Sequence, residues 1–533
     1  MNKFWKQYIN DSINHVKNNS NPNCLVVVSG QTHDQDYWRN HFKITAPDIL
    51  GSIDKTRILS IREPRRKGNF LGILNAWSEI QKDLKRKSNE FPDVLIMSMV
   101  FGKGKRLSPF TQTLGGRKSA FPTPYLGSSG NYLNTADLSI LYSNLIVEQL
   151  SKSGFRGVLV KWGDEIIIPG SDINVKKNLS HTDIIRFSGW SDLSPEILQE
   201  KEWFVIDKNN NDIIKHYPRQ PLDIITNRFS QFGRSEFDLK INLGSVALSY
   251  EFLDCALKEF QDDVISPEKW LDCDPYVWVA LLCKNDKEWE NERLYERDHG
   301  AKGIKELEER YPDFYQRIKK LQEKLTIIRK NPPKIWSFDF EHMLWADFGL
   351  HLSLRKNLSA MIDDSDIGYA FRDIFGLDHH RDNNGNIILR SNIPEGCDIK
   401  NSIIIDTTIT DIKSVVNRGI VVGGKHHALH MPFGGAVLFS ATNWLTLKGP
   451  NCIVLRFIGE GFILEEGSRL TTVWEVSNGQ SFLSNEQVKN YNDSNYTEPV
   501  FGNTLSFNEL EKIVTNGNFV SDDIWKQKWA AWK

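Results

Sequence analysis

The residues best suited to chemistry lie in one short stretch, Phe101-Gly-Lys-Gly-Lys-Arg-Leu-Ser-Pro-Phe-Thr111, with Lys118 close behind. Gly102 and Gly104 let backbone N–H groups approach phosphate oxygens with no Cβ in the way. Lys103, Lys105, Arg106 and Lys118 supply positive charge, so the stretch is suited to a polyphosphate. Two acidic positions far apart in the chain complete the set. Asp164 follows Gly163 at the end of an apolar run, and Asp347 stands in Trp345-Ala-Asp-Phe-Gly349. Each could merely cap a turn or a helix. Beside a polyphosphate loop they read as Mg²⁺ ligands, because Mg²⁺ takes one or two carboxylates together with phosphate oxygens.

Such a set needs a scaffold that brings strand ends together. Val94–Val100 is short, apolar and followed by the glycine loop, which predicts a buried parallel strand. The loop would then leave the carboxyl end of that strand, where open α/β sheets hold their ligands. Leu25–Val28 and Gly157–Trp162 read as further buried strands, and residues 1–20 and 134–151 as amphipathic helices. Asp207–Asp212 reads as the turn of a hairpin. The charged stretch 285–330 is expected to form a solvent-facing helical insertion, suited to a lid or a contact between copies.

Past residue 380 the pattern changes. Ile387, Ile393, Ile399 and Ile405 recur every six residues, which predicts a parallel β-helix with the four isoleucines stacked in one internal column. His426, His427 and His430 cluster in this region and could bind a metal or act as a base, solvated loop histidines being the plainer reading. The tail, 491–533, ends in a helical pattern with Trp525, Trp529 and Trp532, expected to dock on the body. The division read from the chain is thus 1–375, 376–490 and 491–533.

Bulk properties exclude several classes. A net charge of −2 over 533 residues gives no surface for coating nucleic acid. The six cysteines form no C-x-x-C pair, so a zinc site is not expected, and reduced thiols in a cytoplasm are the simple reading. No stretch approaches the ~20 apolar residues of a membrane span.

Two familiar loops fail. Gly115-Gly-Arg-Lys118-Ser119 lacks the spacing of a P-loop, and Leu107 stands where the dinucleotide fingerprint needs its third glycine. Gly102, Gly104, Arg106, Leu107, Pro109, Thr111 and Lys118 together resemble the loop of the sugar-nucleotide pyrophosphorylases, with Phe101 in place of a usual glycine. Within that superfamily of sugar-1-phosphate nucleotidyltransferases, the chain is most similar to the fucose-1-phosphate guanylyltransferases over roughly residues 20–460.

The resemblance implies an α/β fold: a mixed Rossmann-like, GT-A-like nucleotidyltransferase domain followed by a parallel β-helix. It implies formation of a nucleotide sugar and pyrophosphate from a nucleoside triphosphate and a sugar 1-phosphate, with Mg²⁺ as cofactor. Arg106 and Lys118 would carry catalysis, and Gly102, Lys103, Gly104, Lys105 and Gly163 would hold the nucleotide. Asn242, Gly244, Lys215 and Arg219 would line the sugar and its phosphate, and Asp164 and Asp347 would hold the metal. Neither nucleic acid nor membrane is an expected partner, and a homo-oligomer is compatible with the sequence. The competing readings are a nucleotide-sugar-binding scaffold without turnover and an acyltransferase using His427 or His430.

Overall fold

The computed structural model describes residues 3–18, 23–30, 32–51, 56–63, 67–87, 92–102, 104, 107–190, 198, 201–269, 274–298, 302–474 and 481–486, with isolated positions in the tail. It is a mixed α/β structure in which parallel sheets dominate.

The first sheet holds β1 (Asn23–Ser29), β2 (Thr56–Arg62), β3 (Val94–Met99) and β6 (Gly157–Trp162), of which β1, β3 and β6 are expected from their apolar runs and β2 is not. Between β3 and β6 lie the short strands β4 (Pro122–Leu126) and β5 (Tyr132–Asn134), which pair with each other. The four long strands run parallel in the order β2-β1-β3-β6, and every residue of β3 is buried. Burial on both faces explains why β3 reads as an apolar run rather than an alternating one. The chain steps from β1 outward to β2, then returns to place β3 on the other flank of β1. The order therefore reverses at the β1/β3 boundary, and it is there that open sheets form a ligand crevice beyond their carboxyl ends.

The rest of the sheet is antiparallel or mixed. The long strand β11 (Phe237–Ser249) pairs with β6, with β8 (Ile184–Trp190) and with β9 (Trp203–Asp207). The strand β10 (Ile213–Tyr217) closes the predicted hairpin with β9. The strand β12 (Ile335–His342) joins β8 in parallel, and β13 (Leu344–Asp347) pairs with β7 (Glu165–Ile168) as a two-stranded ribbon.

The stretch 285–330 is helical, as expected, but it is not a solvent-facing appendage. Phe314, Tyr315, Ile318, Leu321 and Leu325 recur at helical spacing along Phe314–Arg329 and are buried with Val158, Val160 and Phe252 in one core. The charges that dominate the composition occupy the outer face, while this apolar stripe fixes the helix to the sheet.

Beyond residue 386 the chain alternates between two sheets, and nearly all pairs in both are parallel. The predicted isoleucine column does not form. Ile387 and Ile405 lie on the first of the two sheets and Ile399 on the second. The stacking repeat is instead 16 or 17 residues, as in the columns Ile387/Ile403/Ile420/Ala436/Ile453 and Ile404/Val421/Val437/Val454/Leu470. A single left-handed residue follows each of the five strands that begin at 387, 403, 419, 435 and 453: Arg390, Asp406, Gly423, Phe439 and Arg456, with φ between 49° and 61°. These corners turn each strand out of the sheet at the same height, so successive coils superimpose.

Neighbouring side chains of these strands face opposite ways. Ile404, Val421, Val437 and Val454 fill a core between the two sheets, whereas Ile403, Ile405, Ile420, Val422 and Leu438 join the core of the α/β part. In the tail, Trp529 and Trp532 pack against that same core, and Trp525 lies outside the described residues.

Candidate functional site

The site grows from the carboxyl ends of β3 and β6. Gly102 and Gly104 both adopt positive φ, 110° and 58°. A β-carbon on Gly104 would stand 2.8 Å from Thr111 Oγ1 and 3.0 Å from Lys118 Cβ, so the loop folds back directly onto Lys118. Thr111 Oγ1 donates to the Gly104 carbonyl at 2.8 Å and closes that turn. Lys103, Lys105 and Arg106, predicted to supply charge here, lie outside the described residues.

Lys118 Nζ donates to Asp164 Oδ2 at 2.8 Å, and both side chains are mostly buried. Asp164 follows β6 and Asp347 ends β13. The pairing of β13 with β7 sets Asp347 opposite Glu165, and the Phe348 N–H donates to the Asp164 carbonyl at 2.9 Å. Residues distant in sequence therefore share one corner. Gly349 shows how close they come: a β-carbon there would stand 2.5 Å from Asp164 Oδ2 and 3.2 Å from Asp347 Oδ1. Its N–H donates to Asp347 Oδ1 at 2.7 Å and orients that carboxylate. The glycine is required for space, not for an unusual φ. Two carboxylates over a bare α-carbon are a hard-oxygen donor pair that fits Mg²⁺. Among the described residues no set of three or more acid, His or Cys ligands assembles.

No family model matches this chain, and neither does any curated protein. The functional reading therefore rests on the residues themselves.

Glu165 is a member of the site that sequence reasoning passed over. Its Oε2 is buried without a hydrogen-bond partner. Burial, then the Asp347 and Asp164 carboxylates, push its pKa up to about 8. A β-carbon on Gly244 would lie 3.8 Å from that oxygen and 3.1 Å from Trp162 Nε1. An acid and an indole N–H thus converge over a second bare glycine, at φ 73°. Phe101 meets Trp162 edge-on, with ring centroids 6.4 Å apart. Lys161, beneath the site, is buried, which lowers its pKa to about 8. Lys201 lies 3.6 Å from the centroid of the Trp345 ring, with its Nζ 4.0 Å from Asp347 Oδ2. The signal for Glu165 was its adjacency to Asp164; nothing in the spacing marked Lys161 or Lys201.

Other predicted residues have different employment. Asn242 accepts from Arg186 Nη2 at 3.0 Å and from the Gly244 N–H at 3.1 Å, and donates to Glu202 at 2.8 Å. Its amide is committed to shaping the turn that presents Gly244. Lys215 is paired with Glu292 at 3.1 Å. It stands on β10, three strands from β6, the strand that Asp164 follows, or about 14 Å at the usual spacing. Arg219 follows the same strand, mostly exposed and 4.0 Å from Glu202. The structure does not bring Lys215 into the corner of Asp164 and Asp347. Gly163 packs against Ser119 and Val100, where a β-carbon would meet both at 2.9 Å.

The three histidines do not form a constellation. His426 points inward, hydrogen-bonded to Thr442 at 2.9 Å, and burial pulls its pKa down to about 3. His427 and His430 are exposed, His427 being bonded to Thr410 at 2.8 Å. Their contacts among the described residues are threonine hydroxyls, Thr442 on His426 and Thr410 on His427, with no orienting acid beside either ring.

Proposed function

We propose that the chain is a Mg²⁺-dependent nucleotidyltransferase that joins a sugar 1-phosphate to a nucleoside triphosphate, releasing pyrophosphate. The observation that carries this reading is the convergence of Asp164 and Asp347 over Gly349, with Lys118 bonded to Asp164 and the Gly102–Gly104 loop folded onto that lysine. The likeness to fucose-1-phosphate guanylyltransferases belongs to this reading, as does description of the two parts as a Rossmann-like, GT-A-like domain and a parallel β-helix. GTP and fucose 1-phosphate are accordingly the first substrates to test.

In this mechanism a phosphate oxygen of the sugar 1-phosphate attacks the α-phosphorus of the triphosphate. The bond from that phosphorus to the β-phosphate oxygen breaks, and pyrophosphate leaves. Such chemistry is governed by positioning and charge rather than proton transfer. Asp164 and Asp347 would hold Mg²⁺, which when bound draws charge from the phosphate oxygens. Lys118, tethered beside the loop, would neutralise negative charge as it builds on the α-phosphate. The N–H groups of Gly102 and Gly104 would cradle the departing phosphates, and Arg106 would add charge there. Glu165 and Trp162 would hold hydroxyls of the ligand over Gly244.

Pyrophosphate release with four nucleoside triphosphates and a panel of sugar 1-phosphates tests the proposal. Lys118→Ala and Asp164→Asn are each expected to lower turnover at least about 100-fold, a barrier increase of about 2.7 kcal/mol. Variants within threefold of the parent would refute it. Tight triphosphate binding with no pyrophosphate from any pair would favour the scaffold instead.

A further inference from the structure

A cavity of about 190 Å³ opens in the seam between the helix His351–Ala360 and the coiled C-terminal sheets, on the side of the helix away from Asp347. The helix presents Ser353, Lys356 and Asn357 to the pocket that includes Asp347, and Arg355, Leu358 and Ser359 to the seam. At 100° per residue these two stripes lie on opposite faces. The seam cavity is therefore separate from the corner described above.

Arg355 lines this cavity. It is half-buried and has no hydrogen bond or ion pair to any described residue. A guanidinium that faces a cavity with no acid on its walls is free to pair with an anion there. Arg418, on the same wall, is already neutralised by Asp363 at 2.8 Å, so the cavity keeps one unbalanced positive charge. Phe433 lines it too with 61% of its surface exposed, an unusual display for a large apolar ring. Gly434, Gly435 and Ile420 also line the cavity. The volume corresponds to roughly six waters at about 30 Å³ each. Guanidinium, exposed ring and volume together describe a receptor for one small molecule.

We infer that this cavity binds a small organic anion, a phosphate monoester or carboxylate joined to a planar apolar group. The charged end pairs with Arg355 in the forked geometry guanidinium prefers, and the planar group stacks on Phe433. Arg355 has no fold-maintaining partner, so its removal should not cost stability.

The test is calorimetric titration of the full chain with phenyl phosphate, phenylacetate and inorganic phosphate. At least one of the two aromatic probes is expected to bind with a Kd below about 1 mM, and inorganic phosphate more weakly. The tighter aromatic probe identifies the head group. Arg355→Gln should weaken that probe at least tenfold and Phe433→Ala several-fold, with Arg355→Lys intermediate. Lys118→Ala should leave it unchanged, which separates this site from the proposed catalytic one. Each variant should melt within 2 °C or so of the parent, since about 1 kcal/mol moves Tm by a few degrees. Absence of binding by every probe, an unchanged affinity in Arg355→Gln, or unfolding of that variant would each overturn the assignment.

Discussion

Gly349 carries the sharpest expectation at the scale of a single residue. Its φ lies outside the left-handed region, so the backbone tolerates any side chain; the obstacle is Asp164 Oδ2, 2.5 Å from where a β-carbon would sit. Gly349→Ala must therefore displace that carboxylate and spread the acidic pair. Calorimetry with Mn²⁺ is expected to show at least tenfold weaker binding with little change in melting temperature. The variant should add no further loss on an Asp164→Asn background, because both act through one oxygen. Parent-like metal affinity in Gly349→Ala would refute the convergence argument. The glycine was visible in the sequence; its purpose was not, because spacing alone does not reveal that two distant carboxylates arrive over it.

A second residue sets a pH dependence. Burial holds His426 neutral, with its folded-state pKa near 3 against an ordinary 6.5. The group is depressed, so its contribution is complete above pH 6.5 and is lost as pH falls toward 3. In that window the unfolded chain binds the extra proton, and stability should drop by up to about 1.4 kcal/mol per pH unit. His426→Asn is expected to flatten this acid limb in urea titrations at pH 4 to 7. An identical limb in the variant would mean that His426 does not titrate as its burial requires.

At the scale of elements, the coils beyond residue 386 rest on the alternation of two cores. Ile404 lies between the sheets with no exposed surface, stacked on Val421. Ile404→Ala leaves a cavity in a column with no flexible neighbour to collapse into it, and should cost about 2–5 kcal/mol in urea unfolding. A cost below about 1 kcal/mol would show the stack to be loosely packed. The sequence predicted a parallel β-helix with a six-residue column; the structure shows parallel strands in two sheets with a different repeat. The six-residue spacing of isoleucines is real, yet the coil returns only after 16 or 17 residues, where Arg390, Asp406 and Phe439 take up a left-handed corner. Asp406 and Gly423 favour positive φ but Arg390, Phe439 and Arg456 do not, so the corners showed no common residue type. The strands β1, β3 and β6 of the α/β sheet were legible for the opposite reason: burial on both faces writes itself into them as apolar runs, interrupted only by Ser98 in β3 and Lys161 in β6.

At the scale of the whole molecule, the coiled part and the α/β part share one continuous core, and the glycine loop's support crosses between them. Thr113, between the loop and Lys118, donates through Oγ1 to the Thr472 carbonyl at 2.6 Å, and Arg456 reaches the Thr113 carbonyl at 3.4 Å. His351 bonds the Ser108 carbonyl at 2.7 Å from the helix that follows Gly349. The segment carrying Lys118 is thus held on one side by the last coil and on the other by the helix that follows Asp347. Two consequences can be measured. Ile403, Ile405, Ile420, Val422 and Leu438 lose their cover if the parts separate, so calorimetry on the full chain should show a single cooperative transition, and a fragment ending at residue 380 should be insoluble. Thr113→Val keeps the side chain's shape but removes the donor, leaving a buried carbonyl unmet at a cost of about 1–3 kcal/mol. If the coils position the loop, Thr113→Val should lower turnover more than it lowers stability, with KM for the triphosphate rising at least threefold. Two well-separated transitions, or a soluble and fully active fragment, would show instead that the coils are a passenger and that the α/β part positions Lys118 unaided.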